Sequence, residues 1–140
     1  MSVAVCIKRD RMRDYKRIQY FADHLAIGSQ ILDDFKDIEE DLKRRRFNYA
    51  INMIHRAGAK NSRKQRVTLK NVARTLLFTS VGTDLLAEVQ KHFKRAFKTL
   101  EPFKMKEAKE LSQAYHRSVN HMRDNLLHHR LKLVLVNKLR

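Results

Sequence analysis

Residues 12–47, MRDYKRIQYFADHLAIGSQILDDFKDIEEDLKRRRF, decide the fold of this chain. Tyr15, Ile18, Ala22, Leu25, Leu32, Phe35, Ile38 and Leu42 recur at three- and four-residue steps, the apolar stripe of an amphipathic helix. The spacing predicts one long helix from about Met12 to Phe47. Gly28 interrupts the stripe, and a mid-helix glycine costs on the order of 1 kcal/mol relative to alanine, so close packing against another backbone is expected there.

Outward from this stretch the same periodicity persists. Residues 47–57 carry Tyr49, Ala50, Met53, Ile54 and Ala57 on one side, with Gly58 as the expected C-cap. Residues 58–66, GAKNSRKQR, read as a basic loop. Thr68 is placed to cap a third helix, which Gly82 ends, and Thr83 or Asp84 is placed to cap a fourth. Pro102 breaks that helix, and a last one starts near Lys104 with Met105, Ala108, Leu111, Tyr115, Val119, Met122 and Leu126 in register. The tail LKLVLVNKLR alternates like a strand but has no partner strand, so residues 130–140 are read as helical continuation or a loosely ordered end. The expectation is an all-α single domain over 1–140, an antiparallel helical bundle.

Composition agrees. Three Gly and one Pro in 140 residues leave few turns, and 43% hydrophobic residues suffice for a modest core. The lone Cys6 excludes an intramolecular disulfide, and no apolar run nears the roughly 20 residues that span a bilayer. The start of the chain does not read as a signal peptide, so a cytoplasmic location is expected. The formal charge of +16 attracts polyanions: nucleic acid, an anionic membrane surface or a phosphorylated metabolite. Lys and Arg are spread along the chain and no nucleic-acid module is visible, so no specific nucleic acid is expected. His116 and His121 are five apart, off the one-face spacing of a zinc pair, and His128 and His129 are adjacent.

The informative chemistry lies at the end of the opening stretch. On one continuous helix Asp33, Asp37 and Asp41 fall at i, i+4 and i+8, with Asp34 beside them. Like charges at this spacing destabilise a helix by a few tenths of a kcal/mol per pair. A cation that neutralises them removes the cost. Short carboxylates suit Mg2+, which takes one or two carboxylates together with phosphates and waters. Lys43 to Arg46 follow directly and are placed to grip phosphate oxygens. The plainer reading of the same residues is a solvated helix face laced by i, i+4 ion pairs.

Gln30-Ile31-Leu32-Asp33-Asp34-Phe35-Lys36-Asp37 resembles the second aspartate-rich motif, FQxxDDxxD, of trans-isoprenyl diphosphate synthases. The run Asp41 to Ile51 is similar to the family's D-L-x-x-G-K-x-T-x-P-L, with Asn48 and Ala50 where Thr and Pro are usual. The resemblance implies a partial isoprenoid-synthase fold and a prenyltransferase of isoprenoid biosynthesis, which condenses an allylic diphosphate with isopentenyl diphosphate on Mg2+. It implies Asp33, Asp34 and Asp37 as the catalytic metal ligands, Asp41 as a ligand through water, Gln30 orienting the site, and Lys43 or Arg46 on phosphate. The family's first aspartate-rich motif is not matched in residues 1–30, where Asp10, Asp14 and Asp23 are scattered. The chain therefore resembles the C-terminal half of a synthase, expected to be inactive alone and to work as a homodimer or with a complementary N-terminal half. A non-catalytic subunit of a longer synthase and a basic helical module for nucleic acid or membrane surfaces are the alternatives.

Overall fold

The computed structural model describes residues 11–59 and 67–138, with the backbone alone at 59 and 133–138. The elements are α1 (Met12–Lys36), α2 (Ile38–Arg44), α3 (Tyr49–Ala59), α4 (Leu69–Phe78), α5 (Val81–Leu100), a 3-10 turn (Glu101–Phe103) and α6 (Lys106–Lys138). No strand occurs among the described residues, and the all-α class holds.

α5 is the central helix. Its Leu85, Leu86, Val89, Phe93, Ala96 and Phe97 are buried, at the spacing of a single apolar face. α1 and α6 pack on it antiparallel. Phe21 meets Phe97 and Gly28 lies under Phe93, while Tyr115 of α6 lies against Phe93, and Gln90 bonds to Asn120. α3 and α4 close the bundle, with Ile54 and Val72 buried in the same core.

The glycines explain two boundaries that sequence spacing misplaces. A Cβ on Gly28 would sit 2.7 Å from the Phe93 ring, so the close approach there is to an aromatic side chain rather than to the expected backbone. Gly58 does not cap α3: it lies within the helix, facing Thr75 of α4, and α3 continues to Ala59. Gly82 does not end α4 either. It is buried in the first turn of α5, where a Cβ would meet Leu126 at 2.8 Å and Leu76 at 3.1 Å. α4 ends earlier, at Phe78, and Ser80 rather than Thr83 or Asp84 precedes α5. In this chain the glycines mark helix crossings, because only a hydrogen lets side chains of neighbouring helices approach that closely.

Other expectations stand as read. Thr68 caps α4, its Oγ1 accepting from the Asn71 N–H. Pro102 falls in the turn that ends α5, and α6 starts at Lys106. The tail continues α6 as helix to Lys138. Cys6, Asp10 and the basic loop at 60–66 lie outside the described residues.

The largest departure concerns the opening stretch. α1 stops at Lys36, and Asp37, at φ −93° and ψ 8°, separates it from α2. The Asp37 N–H still donates to Asp33 O, so the turn closes before the chain changes direction. Arg45, at φ 53°, ends α2 in the left-handed region, and Phe47 lies outside any helix. Aspartate is a mediocre helix former, and beyond the break Ile38 remains buried in the core.

Candidate carboxylate site at the α1–α2–α3 junction

Asn48 organises the junction. It precedes the first turn of α3 and caps it, Oδ1 accepting from the Ile51 N–H at 2.9 Å and its carbonyl accepting from Asn52 N–H. Its amide Nδ2 donates to the Asp34 carbonyl at 2.6 Å and to Asp41 Oδ2 at 3.0 Å. One buried side chain thus ties α3 to both α1 and α2.

Asp34 completes the tie from the other side. Its carboxylate is buried, accepts from the Tyr49 N–H at 2.6 Å, and accepts from Gln30 Nε2 at 2.7 Å. A carboxylate at the N-terminus of α3 meets free N–H groups and the positive end of the helix dipole. Asp34 and Asp41 are therefore engaged in holding three helices together, and Gln30 orients Asp34.

Asp33 and Asp37 are left outside this network. Asp33 is exposed, with Lys36 Nζ 3.4 Å from its Oδ1. Asp37 is exposed, and its carboxylate has no ion-pair partner among the described residues. Since Asp37 N–H bonds to Asp33 O, the two stand one turn apart. Beside Asp33 a cleft of about 360 Å³ opens between α1 and α6, lined also by Lys36, Leu111, Tyr115 and Ser118.

The cations divide in the same manner. Lys43 bonds to Glu39 at 2.6 Å, and its hydrogen bond and charge hold the Glu39 carboxyl below its ordinary range. Arg44 pairs with Glu40 at 2.8 Å. These are the i, i+4 pairs of a solvated helix face, made by the two glutamates rather than by Asp37 or Asp41. Arg46 is exposed and pairs with no carboxylate among the described residues.

The column of four carboxylates thus does not form as a straight helix would build it. Among the described residues no three of His, Cys, Asp and Glu gather into a group fit to hold a metal ion. The donors that remain, Asp33 and Asp37, fit a narrower demand: Mg2+ commonly takes one or two carboxylates and completes its shell with phosphate and water oxygens. Sequence spacing missed Asn48, although an asparagine directly before an apolar-periodic segment is an N-cap signal. It also gave no sign that Tyr115 and Ser118, some eighty residues further on, line the cleft beside Asp33.

Comparison with family models, curated proteins and solved structures yields no match to this chain.

Proposed function

We propose that the chain binds a diphosphate through one Mg2+ held by Asp33 and Asp37, the contribution of the second aspartate-rich motif to an isoprenyl diphosphate synthase. The observation that carries the reading is the division among the four aspartates: Asp33 and Asp37 are exposed one turn apart, while Asp34 and Asp41 anchor the frame.

Bound there, the metal would supply charge neutralisation to a diphosphate leaving group. The chain's own residues do the rest. Asp34, Gln30 and Asn48 keep the end of α1 rigid, so Asp33 and Asp37 need little reordering on binding. Lys36, 3.4 Å from the Asp33 carboxylate, would be within reach of a phosphate oxygen bound there. Arg46, exposed in the α2–α3 loop, would be a second phosphate contact. Condensation of an allylic diphosphate with isopentenyl diphosphate is proposed only for an assembly that also supplies the first aspartate-rich motif.

Calorimetric titration with inorganic pyrophosphate, with Mg2+ and with chelator, tests the site. Mg2+-dependent binding is expected, and Asp33→Ala or Asp37→Ala should weaken it by about tenfold or more, the scale of one lost charge-assisted contact. Unchanged binding in both variants, or equal binding under chelator, overturns the assignment. The charge of +16 favours a second reading, a basic surface for polyanions. Under that reading affinity falls steeply with salt and ignores Mg2+.

A further inference from the structure

A second cleft, of about 620 Å³, opens beside the turn that joins α5 to α6. It shares no lining residue with the cleft beside Asp33. Its size falls within the range of roughly 300–1,000 Å³ common to small-molecule sites. Phe97, Leu100, Met105 and Ala108 provide the apolar wall, Phe97 being the most buried of them. Five lysines line the same space: Lys94 and Lys98 from α5, Lys104 from the turn, and Lys106 and Lys109 from α6.

Opposing charge is sparse. Glu101 is the one carboxylate among the lining residues. Lys106 is 3.7 Å from Glu110, while Lys94, Lys98, Lys104 and Lys109 pair with no carboxylate among the described residues. Five ammonium groups around one cleft repel one another, so a bound anion removes an unfavourable interaction as well as adding favourable ones. Lys104 adds an independent sign. It sits at φ 51°, in the left-handed region where a turn of this kind takes glycine at least cost. A lysine there sacrifices backbone ease at a position that sets an ammonium on the cleft.

We propose that this cleft binds an anionic amphiphile, its apolar chain against Phe97, Leu100, Met105 and Ala108 and its phosphate head among the lysines. An apolar wall alone selects for any greasy ligand, and lysines alone select for any polyanion. The juxtaposition selects for a molecule with both ends. The head is matched by Lys98, Lys104 and Lys109, and the same chemistry is offered by a free alkyl phosphate and by the head of a bilayer phospholipid. The site stands whether or not the aspartate reading holds.

Titration of the intact chain with monomeric dodecyl phosphate, followed by calorimetry, tests it. Dodecyl phosphate should bind, with inorganic phosphate weaker by about a hundredfold, since it buries no apolar surface. Dodecyl glucoside, with the chain but no charge, should also bind more weakly. Lys98→Glu with Lys109→Glu should lower affinity for dodecyl phosphate by about tenfold or more. Ala108→Trp, which fills the wall without touching charge, should do the same, and thermal melts of both variants report whether they remain folded. Binding of dodecyl phosphate but not of phosphatidylglycerol vesicles identifies a free ligand; vesicle binding lost in the same variants identifies the lipid head. Equal affinity for inorganic and dodecyl phosphate, or affinity unaltered in both folded variants, overturns the proposal.

Discussion

Asn48 and Asp34 show how a few atoms redirect a helix. An asparagine N-cap contributes about 1 kcal/mol, and Asn48 spends its amide as well, on Asp34 O and Asp41. Replacing it leaves the Ile51 N–H and the Asp34 carbonyl without partners, which costs a further 1–3 kcal/mol or so. Asn48→Ala should therefore destabilise the chain by about 2–4 kcal/mol, read as a lower denaturant midpoint at an unchanged slope. Asp33→Ala, by contrast, removes only an exposed contact at 3.4 Å to Lys36 and should leave the midpoint nearly unmoved while affecting pyrophosphate. The acidic residue types were legible in the sequence, whereas the cap at Asn48 was passed over because a single long helix was read through to Phe47. The division of labour among the four aspartates was not. Spacing arithmetic assumes a straight helix, and the turn at Asp37 voids it.

Between elements, the contact of α1 with α5 carries a titratable pair. His24 Nδ1 and His92 Nδ1 are 2.8 Å apart, so one ring donates to the other and both cannot be protonated without loss of the bond. Burial, and after it the charge of His24, hold the His92 imidazole below its ordinary value, with Arg95 and Lys91 acting in the same direction and Glu88 against them. Because the folded value lies below the unfolded one, the unfolded chain binds the proton more readily. The contribution of His92 to stability is thus full above the ordinary histidine range, about pH 6.5, and is lost as pH falls through it toward the folded value. Lowering pH from about 7.5 to about 5.5 should reduce the Tm of the parent chain more than that of His92→Gln. Equal losses would exclude the pair as a pH-sensitive clamp. Elsewhere α6 reaches α4 through Arg130, whose Nη2 donates to the Leu76 and Thr79 carbonyls at the end of α4. These orphan acceptors are satisfied by a residue from another helix, which local capping rules do not anticipate.

Across the whole molecule the charge of +16 opposes compaction, because like charges are closer in the folded state than in the unfolded one. Screening relieves it, so Tm should rise as salt goes from about 10 mM to about 200 mM, the opposite of what a chain held by surface ion pairs shows. A flat or falling Tm would mean that the exposed pairs, such as Lys43–Glu39 and Arg44–Glu40, outweigh the repulsion. By itself the sequence determined that the chain is helical, where the apolar faces run, that Thr68 starts a helix and Pro102 stops one, and which segment concentrates carboxylates beside cations. These are properties of periodicity and local backbone chemistry, which act within a few residues. Only the tertiary structure decided that α1 breaks at Asp37, that Gly58 and Gly82 are crossings rather than ends, and that Asp34 and Asp41 serve the frame while Asp33 and Asp37 remain exposed. It also decided that five lysines from α5, the turn and α6 surround one cleft. Those outcomes depend on which atoms of distant segments compete for the same space and the same hydrogen bonds, and that competition exists only once the helices have packed.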